Sequence, residues 1–202
     1  MGQPLYRALV ETFQTDEGNL FERADKATIE AQLATIAWVV GRTKNPSQLS
    51  PDKSGEGFRV LETGTNKGFF GFLMCHMIDD GILYTFDIDE RAGRAAQVLD
   101  AGQAVIEVRF TLGDTKETLA QFNAPIDLAW IDGGHDAKTA YCDIGHAMRL
   151  GAQWVLVDDV RGMASVAVAV VAALEDHPEY ERVHNPWWED DTRGIAVFRK
   201  LS

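Results

Sequence analysis

The sequence predicts an α/β fold: an open, doubly wound sheet of seven strands, mainly parallel, with helices on both faces and an antiparallel last strand. Three observations predict it. From Phe58 onward, short apolar runs alternate with helical patterns, which is how strand–helix–strand units build a parallel sheet. The first strand runs through a glycine-spaced turn, Glu62-Thr63-Gly64-Thr65-Asn66-Lys67-Gly68, into a strongly apolar helix. The last two strand-like runs, near 179–184 and 194–199, have no helix between them, so they pair antiparallel.

In chain order, Asp25 reads as an N-cap for a helix near 26–40. Ile29, Leu33, Ile36 and Val40 form its buried stripe, and Gly41 supplies the stop. Residues 43–56 carry Pro46, Pro51, Gly55 and three serines. They read as a long loop, a length that in compact domains belongs to functional or disordered segments, and a lid is one reading. Strands are expected near 58–62, 82–87, 105–111, 126–131 and 153–158, before the final pair. Helices are expected between them near 67–78, 90–101, 115–122, 136–149 and 162–174. A chain of 202 residues is one domain: an N-terminal helical extension and loop over 1–56, then the core over 57–202.

Composition narrows the function. Asp and Glu outnumber Lys and Arg by 31 to 19, a formal charge of −12. With no basic stripe in view, that surface disfavours nucleic acid as a partner. The apolar run over 163–174 is too short to span a bilayer, and the N-terminus has no signal-peptide core. Cys75 and Cys142 lie in apolar helical patterns, where free buried thiols suit a reducing cytoplasm. A homo-oligomer stays open.

Strand ends carry the chemistry, because ligands in open α/β sheets bind beyond the carboxyl ends of the strands. After the first strand, Gly64 and Gly68 let backbone N–H groups approach a ligand, and the following helix aims its N-terminus there. Glu62 calls for a ligand with a positive group. Asn66 stands where the dinucleotide fingerprint needs its second glycine. The second strand ends in Asp87, followed by Ile88, placed so that the carboxylate accepts both hydroxyls of a ribose. Asp89 and Glu90 read as a helix first turn. Asp114, before Thr115, serves equally as an N-cap or as a partner for an adenine amino group. The fourth strand ends in Ile131-Asp132-Gly133-Gly134-His135 and the fifth in Val157-Asp158-Asp159. Neighbouring strands would bring these three aspartates together, and a hard cation such as Mg²⁺ is their natural counterion. Alone, Asp158-Asp159 could cap the next helix, and His135 could be an ordinary polar residue at a helix start.

The E-x-G-x-x-x-G turn resembles motif I of class I S-adenosylmethionine-dependent methyltransferases, and the antiparallel ending resembles their Rossmann-like sheet. Taken together, I-D-G-G-H and V-D-D resemble the metal-dependent small-molecule O-methyltransferases, closest to the macrocin O-methyltransferase-like branch. The resemblance covers about residues 58–199. It implies cofactor contacts from Glu62, Gly64, Thr65, Gly68, Asp87, Ile88, Asp114 and Thr115. It also implies metal ligands Asp132, Asp158 and Asp159, with His135 as base beside Asp132. Two departures stand out. Phe70 occupies a position where family members often carry a serine for the methionine carboxylate, which leaves backbone N–H groups or Lys67 for that task. The antibiotic-modifying relatives are longer, so their acceptor-recognising parts do not carry over. Asp143 matches a recurring acidic position of the family.

The reading is therefore a Mg²⁺-assisted methyltransferase acting on a small hydroxylated molecule. An NAD(P)-dependent oxidoreductase sharing Asp87, and a non-catalytic S-adenosylmethionine-binding protein, are the alternatives. The segment Asn185-Pro186-Trp187-Trp188-Glu189-Asp190-Asp191 is expected to border the acceptor site, the alternative being that its two tryptophans cap the edge of the core.

Overall fold

The computed structural model describes residues 26–43, 57–102 and 106–201. The expected Asp25 cap and residues 44–56 of the loop expected over 43–56 lie outside these, while Thr43 belongs to the helix before it. The elements in order are α1 (Lys26–Thr43), β1 (Phe58–Thr63), α2 (Phe69–Met77), β2 (Gly81–Asp87), α3 (Glu90–Gly102), β3 (Ile106–Leu112) and α4 (Thr115–Gln121). They continue with β4 (Leu128–Ile131), α5 (Ala137–Arg149), β5 (Trp154–Val157), α6 (Ala164–Asp176), β6 (Tyr180–Val183) and β7 (Ala196–Lys200).

The seven strands form one sheet in the order β3-β2-β1-β4-β5-β7-β6. The first five run parallel, and β7 inserts antiparallel between β5 and β6. Strand order reverses between β1 and β4, so the carboxyl ends of those two strands flank the crevice where such sheets bind ligands.

The central strands are buried on both faces, and their side chains divide with period two. Leu61, Ala129, Val155, Val157 and Phe198 pack towards α4, α5 and α6. Val60, Leu128, Trp130, Trp154, Leu156 and Val197 pack towards α1, α2 and α3. Burial on both sides explains why these strands read as continuous apolar runs rather than as alternating ones.

Helix α1 runs two residues past Gly41, the expected stop. Its end is closed instead by Thr43, whose hydroxyl donates to the carbonyls of Val39 and Val40. The helix is fastened across its length. Thr28 pairs with Thr192, Gln32 donates to Asp158, and Thr35 donates to Asn185. Trp38 meets Trp154 and Trp187 edge-on at 6.1 and 6.2 Å.

The tryptophan pair in the β6–β7 connection follows the core-edge reading. Trp187 packs on Trp38, while Trp188 lies partly buried against the opposite core, with Arg182 and Arg161 near its ring. Asn185 is the hub of this connection. It is 4% exposed, donates to the Ile195 carbonyl, and accepts from Thr35 and from the Trp187 backbone. Asn185→Ala strands these partners in an apolar setting and should cost roughly 2–3 kcal/mol. We expect a fall in Tm of about 4–10 °C by thermal melt, with Thr35→Ala costing less.

Candidate active site

Gly64 sets the geometry of the site. Its φ is +84°, and a Cβ there would lie 2.1 Å from the carbonyl oxygen of Asp132. Only glycine lets the ends of β1 and β4 come this close. Gly68, also left-handed at φ +80°, precedes the first turn of α2 as its N-cap.

Two cavities open at these strand ends. The larger, about 1010 Å³, is lined among others by Gly64, Asp87, Ile88, Asp114, Thr115 and His135. The smaller lies under α1 and is bounded by Ile29, Gln32, Glu62, Thr65, Phe70 and Asp158. Asp132, Lys67 and Arg193 border both. Of the expected cofactor residues, Gly68 shapes the turn without lining either cavity.

Glu62 is 1% exposed. Burial pushes its carboxyl up to about 8, partly offset by the Thr85 hydroxyl that donates to it, while Asp132 and Asp87 add repulsion. The side chain of Thr65 turns to that same Thr85 hydroxyl, which leaves its backbone to face a ligand. Asp87 accepts from the backbone N–H groups of Asn66 and Asp89, both at 2.8 Å. Each of its oxygens is thereby fixed with lone pairs to spare. Ile88 beside it is 75% exposed, an apolar surface suited to lie against a base. Asp114 caps α4 through Lys116 N and pairs with Lys116 Nζ at 2.9 Å, so the cap reading is realised at the cleft edge. Phe70 is a core residue stacked on Trp130 at 4.9 Å.

The acidic ends of β4 and β5 meet as their adjacency requires. Asp132, His135 and Asp159 each offer a ligand atom within 4.8 Å of the others. Asp158 is held aside. Its Oδ1 accepts from Gln32 Nε2 at 3.0 Å and from Asp159 N at 2.8 Å. Neither aspartate caps α6, whose N-cap is Met163 without a side-chain bond. The cap at the start of α5 is Asp136, which leaves His135 free of that role. Its Nε2 lies 2.9 Å from Asp159 Oδ2 and 3.8 Å from Asp132 Oδ1. Asp132, then Asp159, hold the imidazole above its ordinary range, against a partial burial that lowers it. Burial raises Asp132 and Asp158.

The aspartates are not left uncompensated. Arg193 binds Asp159 through both Nε, at 2.6 Å, and a terminal nitrogen, at 2.9 Å, and lies 3.3 Å from Asp158. Sequence reasoning missed this residue. The available signal was its place just before an antiparallel strand, which puts it at the ligand end of the sheet. Asp143 is fully buried beneath the turn at Gly133, and burial raises it to about 6.

Residues 61–160 match the family model described as a methyltransferase domain. No protein of curated function matches the chain. Among solved structures, the chain is similar to TomG, an O-methyltransferase from Streptomyces achromogenes involved in tomaymycin synthesis, in complex with SAM. The two share 17% identity over 100% of this chain and 92% of that one, with a TM-score of 0.60. It is also similar to the SAH-bound methyltransferase PaMTH1 of Podospora anserina, at 16% identity over 93% and 99%, TM-score 0.59. An rRNA methylase from Streptococcus thermophilus matches at 16% over 87% and 97%, TM-score 0.58.

The sheet order and the glycine turn define the Rossmann-like methyltransferase fold. With the match over residues 61–160, the chain carries an S-adenosylmethionine-dependent methyltransferase domain on this fold. Among the described residues, no helix is long and apolar enough to cross a membrane.

Glu62 gives the cofactor-free protein a distinctive pH response. Its folded pKa lies above the unfolded value of 4.5, so the folded state favours the neutral acid. The stability that this group contributes is full below about 4.5 and is lost as pH rises to about 8. We expect Tm to fall by a few degrees between pH 5 and 8.5, and Glu62→Gln to flatten that slope. Melts of both chains across this range read it. An unchanged slope in the variant would assign the effect to other buried carboxyls, Asp143 among them.

Proposed function

We propose that the protein transfers a methyl group from S-adenosylmethionine to a hydroxyl of a small molecule, assisted by a divalent cation such as Mg²⁺. The observation that carries this reading is the convergence of Asp132, His135 and Asp159 in a cleft that Asp87 and Ile88 also line. A cleft of this size takes a nucleoside-bearing cofactor beside a small acceptor.

The chain's own residues divide the work. Asp87 accepts the ribose hydroxyls, and Ile88, Asp114 and Thr115 border the base. Glu62 receives the ammonium group, which favours its ionised form and offsets the burial of its carboxyl. Lys67 and the backbone N–H groups at the start of α2 face the carboxylate, the role that Phe70 cannot take. S-adenosylmethionine supplies an electrophilic methyl on a sulfonium. Transfer to oxygen annihilates charge, which a desolvated site favours once the oxyanion exists.

Making the oxyanion falls to the acidic cluster. Asp132 and Asp159 are the oxygen donors that would hold a divalent cation, with Asp158 behind them, and its chemistry there is to lower the pKa of the acceptor hydroxyl. His135 accepts the hydroxyl proton. A small acceptor agrees with the net charge of −12, which opposes approach of a phosphate backbone. An oxidoreductase reading leaves the cluster without a task.

Three measurements test the reading. Asp87→Ala should weaken S-adenosylmethionine binding at least tenfold by calorimetry with the melting curve preserved, since hydrogen bonds to a charged group are worth roughly 1.5–3 kcal/mol each. His135→Ala should bind cofactor and Mn²⁺ nearly as the native chain does, yet turn over on the order of 10² times more slowly. A large loss of Mn²⁺ affinity in that variant would instead make His135 a ligand. Exhaustive chelation, followed by adenosylhomocysteine release across a panel of hydroxylated acceptors, should abolish turnover. Full activity without metal would leave a metal-free methyltransferase.

A further inference from the structure

Arg193 is built into the acidic cluster from its backbone outward. Its N–H donates to Asp191 Oδ1 at 3.1 Å, and Asp191 is itself fully buried and accepts from Ile195 N through its other oxygen. Its carbonyl accepts from Arg161 N at 2.8 Å and from Gly162 N at 3.2 Å. Gly194, left-handed at φ +78°, follows at once, and its carbonyl accepts from Val160 N. Residues 193–194 are thus stitched to the turn that follows Asp159. From that base the guanidinium spans both oxygens of Asp159 and reaches Asp158.

Asp159 is equally constrained. It is a non-glycine residue at φ +60° whose N–H is held by Asp158 Oδ1, a conformation that persists only when its surroundings impose it. Its Oδ2 accepts from the Arg193 terminal nitrogen at 2.9 Å and lies 2.9 Å from His135 Nε2. Its Oδ1 accepts from Arg193 Nε at 2.6 Å. Little of this carboxylate remains for a further partner. A divalent cation at bonding distance, about 2.1 Å from either oxygen, would sit within a few ångströms of the guanidinium and be repelled by it.

We propose that Arg193 and a divalent cation compete for Asp159, so that this one arginine sets how tightly the acidic cluster takes metal. The inference rests on the metal-assisted reading above. Arg193 has somewhere to go: its side chain is 33% exposed and borders both cavities, so it can withdraw into the cleft while its backbone stays fixed. The fork matters as much as the charge, because a lysine meets a carboxylate as a point charge rather than along both oxygens.

The test is calorimetric titration of the full chain with MnCl₂, for the native protein, Arg193→Gln and Arg193→Lys. S-adenosylmethionine binding and the melting curve serve as controls. Removal of the fork and its charge should tighten Mn²⁺ binding at least tenfold in Arg193→Gln, with Arg193→Lys between the two. If the glutamine variant does not fold, the lysine variant carries the test, and it should bind more tightly than the native chain. Equal or weaker Mn²⁺ affinity in a folded, cofactor-binding variant overturns the competition while leaving a metal site in place. Absence of Mn²⁺ uptake by every chain at ~10 mM, with S-adenosylmethionine still bound, overturns the inference and the metal reading together, and leaves the methyltransferase reading standing.

Discussion

The site depends on how closely two strand ends can approach. At Gly64 the backbone passes so near the Asp132 carbonyl that no side chain fits between them. That contact brings the turn after β1 against the end of β4, and with it Glu62 beside Asp132. Parallel pairing of β4 with β5 then adds the next pair of aspartates through the register Ile131 to Val157. The acidic character of the site therefore follows from sheet order and a single missing Cβ, before any ligand is considered.

Collecting carboxylates in a buried crevice is costly unless charge is supplied nearby. The chain supplies it unevenly. Asp159 is spanned by Arg193 and touched by His135, whereas burial dominates at Glu62, Asp132 and Asp158, the last in spite of its bonds to Gln32 and to the backbone. The second group lies where a cationic cofactor and an acceptor would meet. Side chains already paired hold the frame, and those still carrying a desolvation cost are the ones a ligand would relieve.

Much of this was legible in the sequence because it rests on local pattern. The alternation from Phe58, the helix-free final pair and carboxylates at four strand ends mark the sheet and the ends that matter. What escaped depends on contacts between distant segments. Gly41 carries a stop signal, but Thr43 closes α1 further on. Trp187 and Trp188 look costly to leave exposed, yet only the packing reveals that one leans on Trp38 and the other on the opposite core. Asp158 and Asp159 look alike in sequence, but beside the left-handed backbone of Asp159 only Asp159 meets His135 and the full fork of Arg193, while Asp158 takes Gln32 and the edge of the same guanidinium. Arg193 escaped as a site residue because its partner lies 34 residues earlier in the chain, a separation that no periodicity reports, and only its place before the last strand pointed to it.

The aromatic contacts of α1 have a practical consequence. Of five tryptophans in the chain, three form one cluster drawn from three separate segments: Trp38 on the helix, Trp154 on β5 and Trp187 on the β6–β7 connection. Indole emission responds to the polarity and the ring neighbours around it, so this cluster is a built-in optical gauge of whether α1 is seated. The same helix touches Asp158 through Gln32. Light emitted at one end of the helix thus reports on the carboxylate held near the other, with no label introduced.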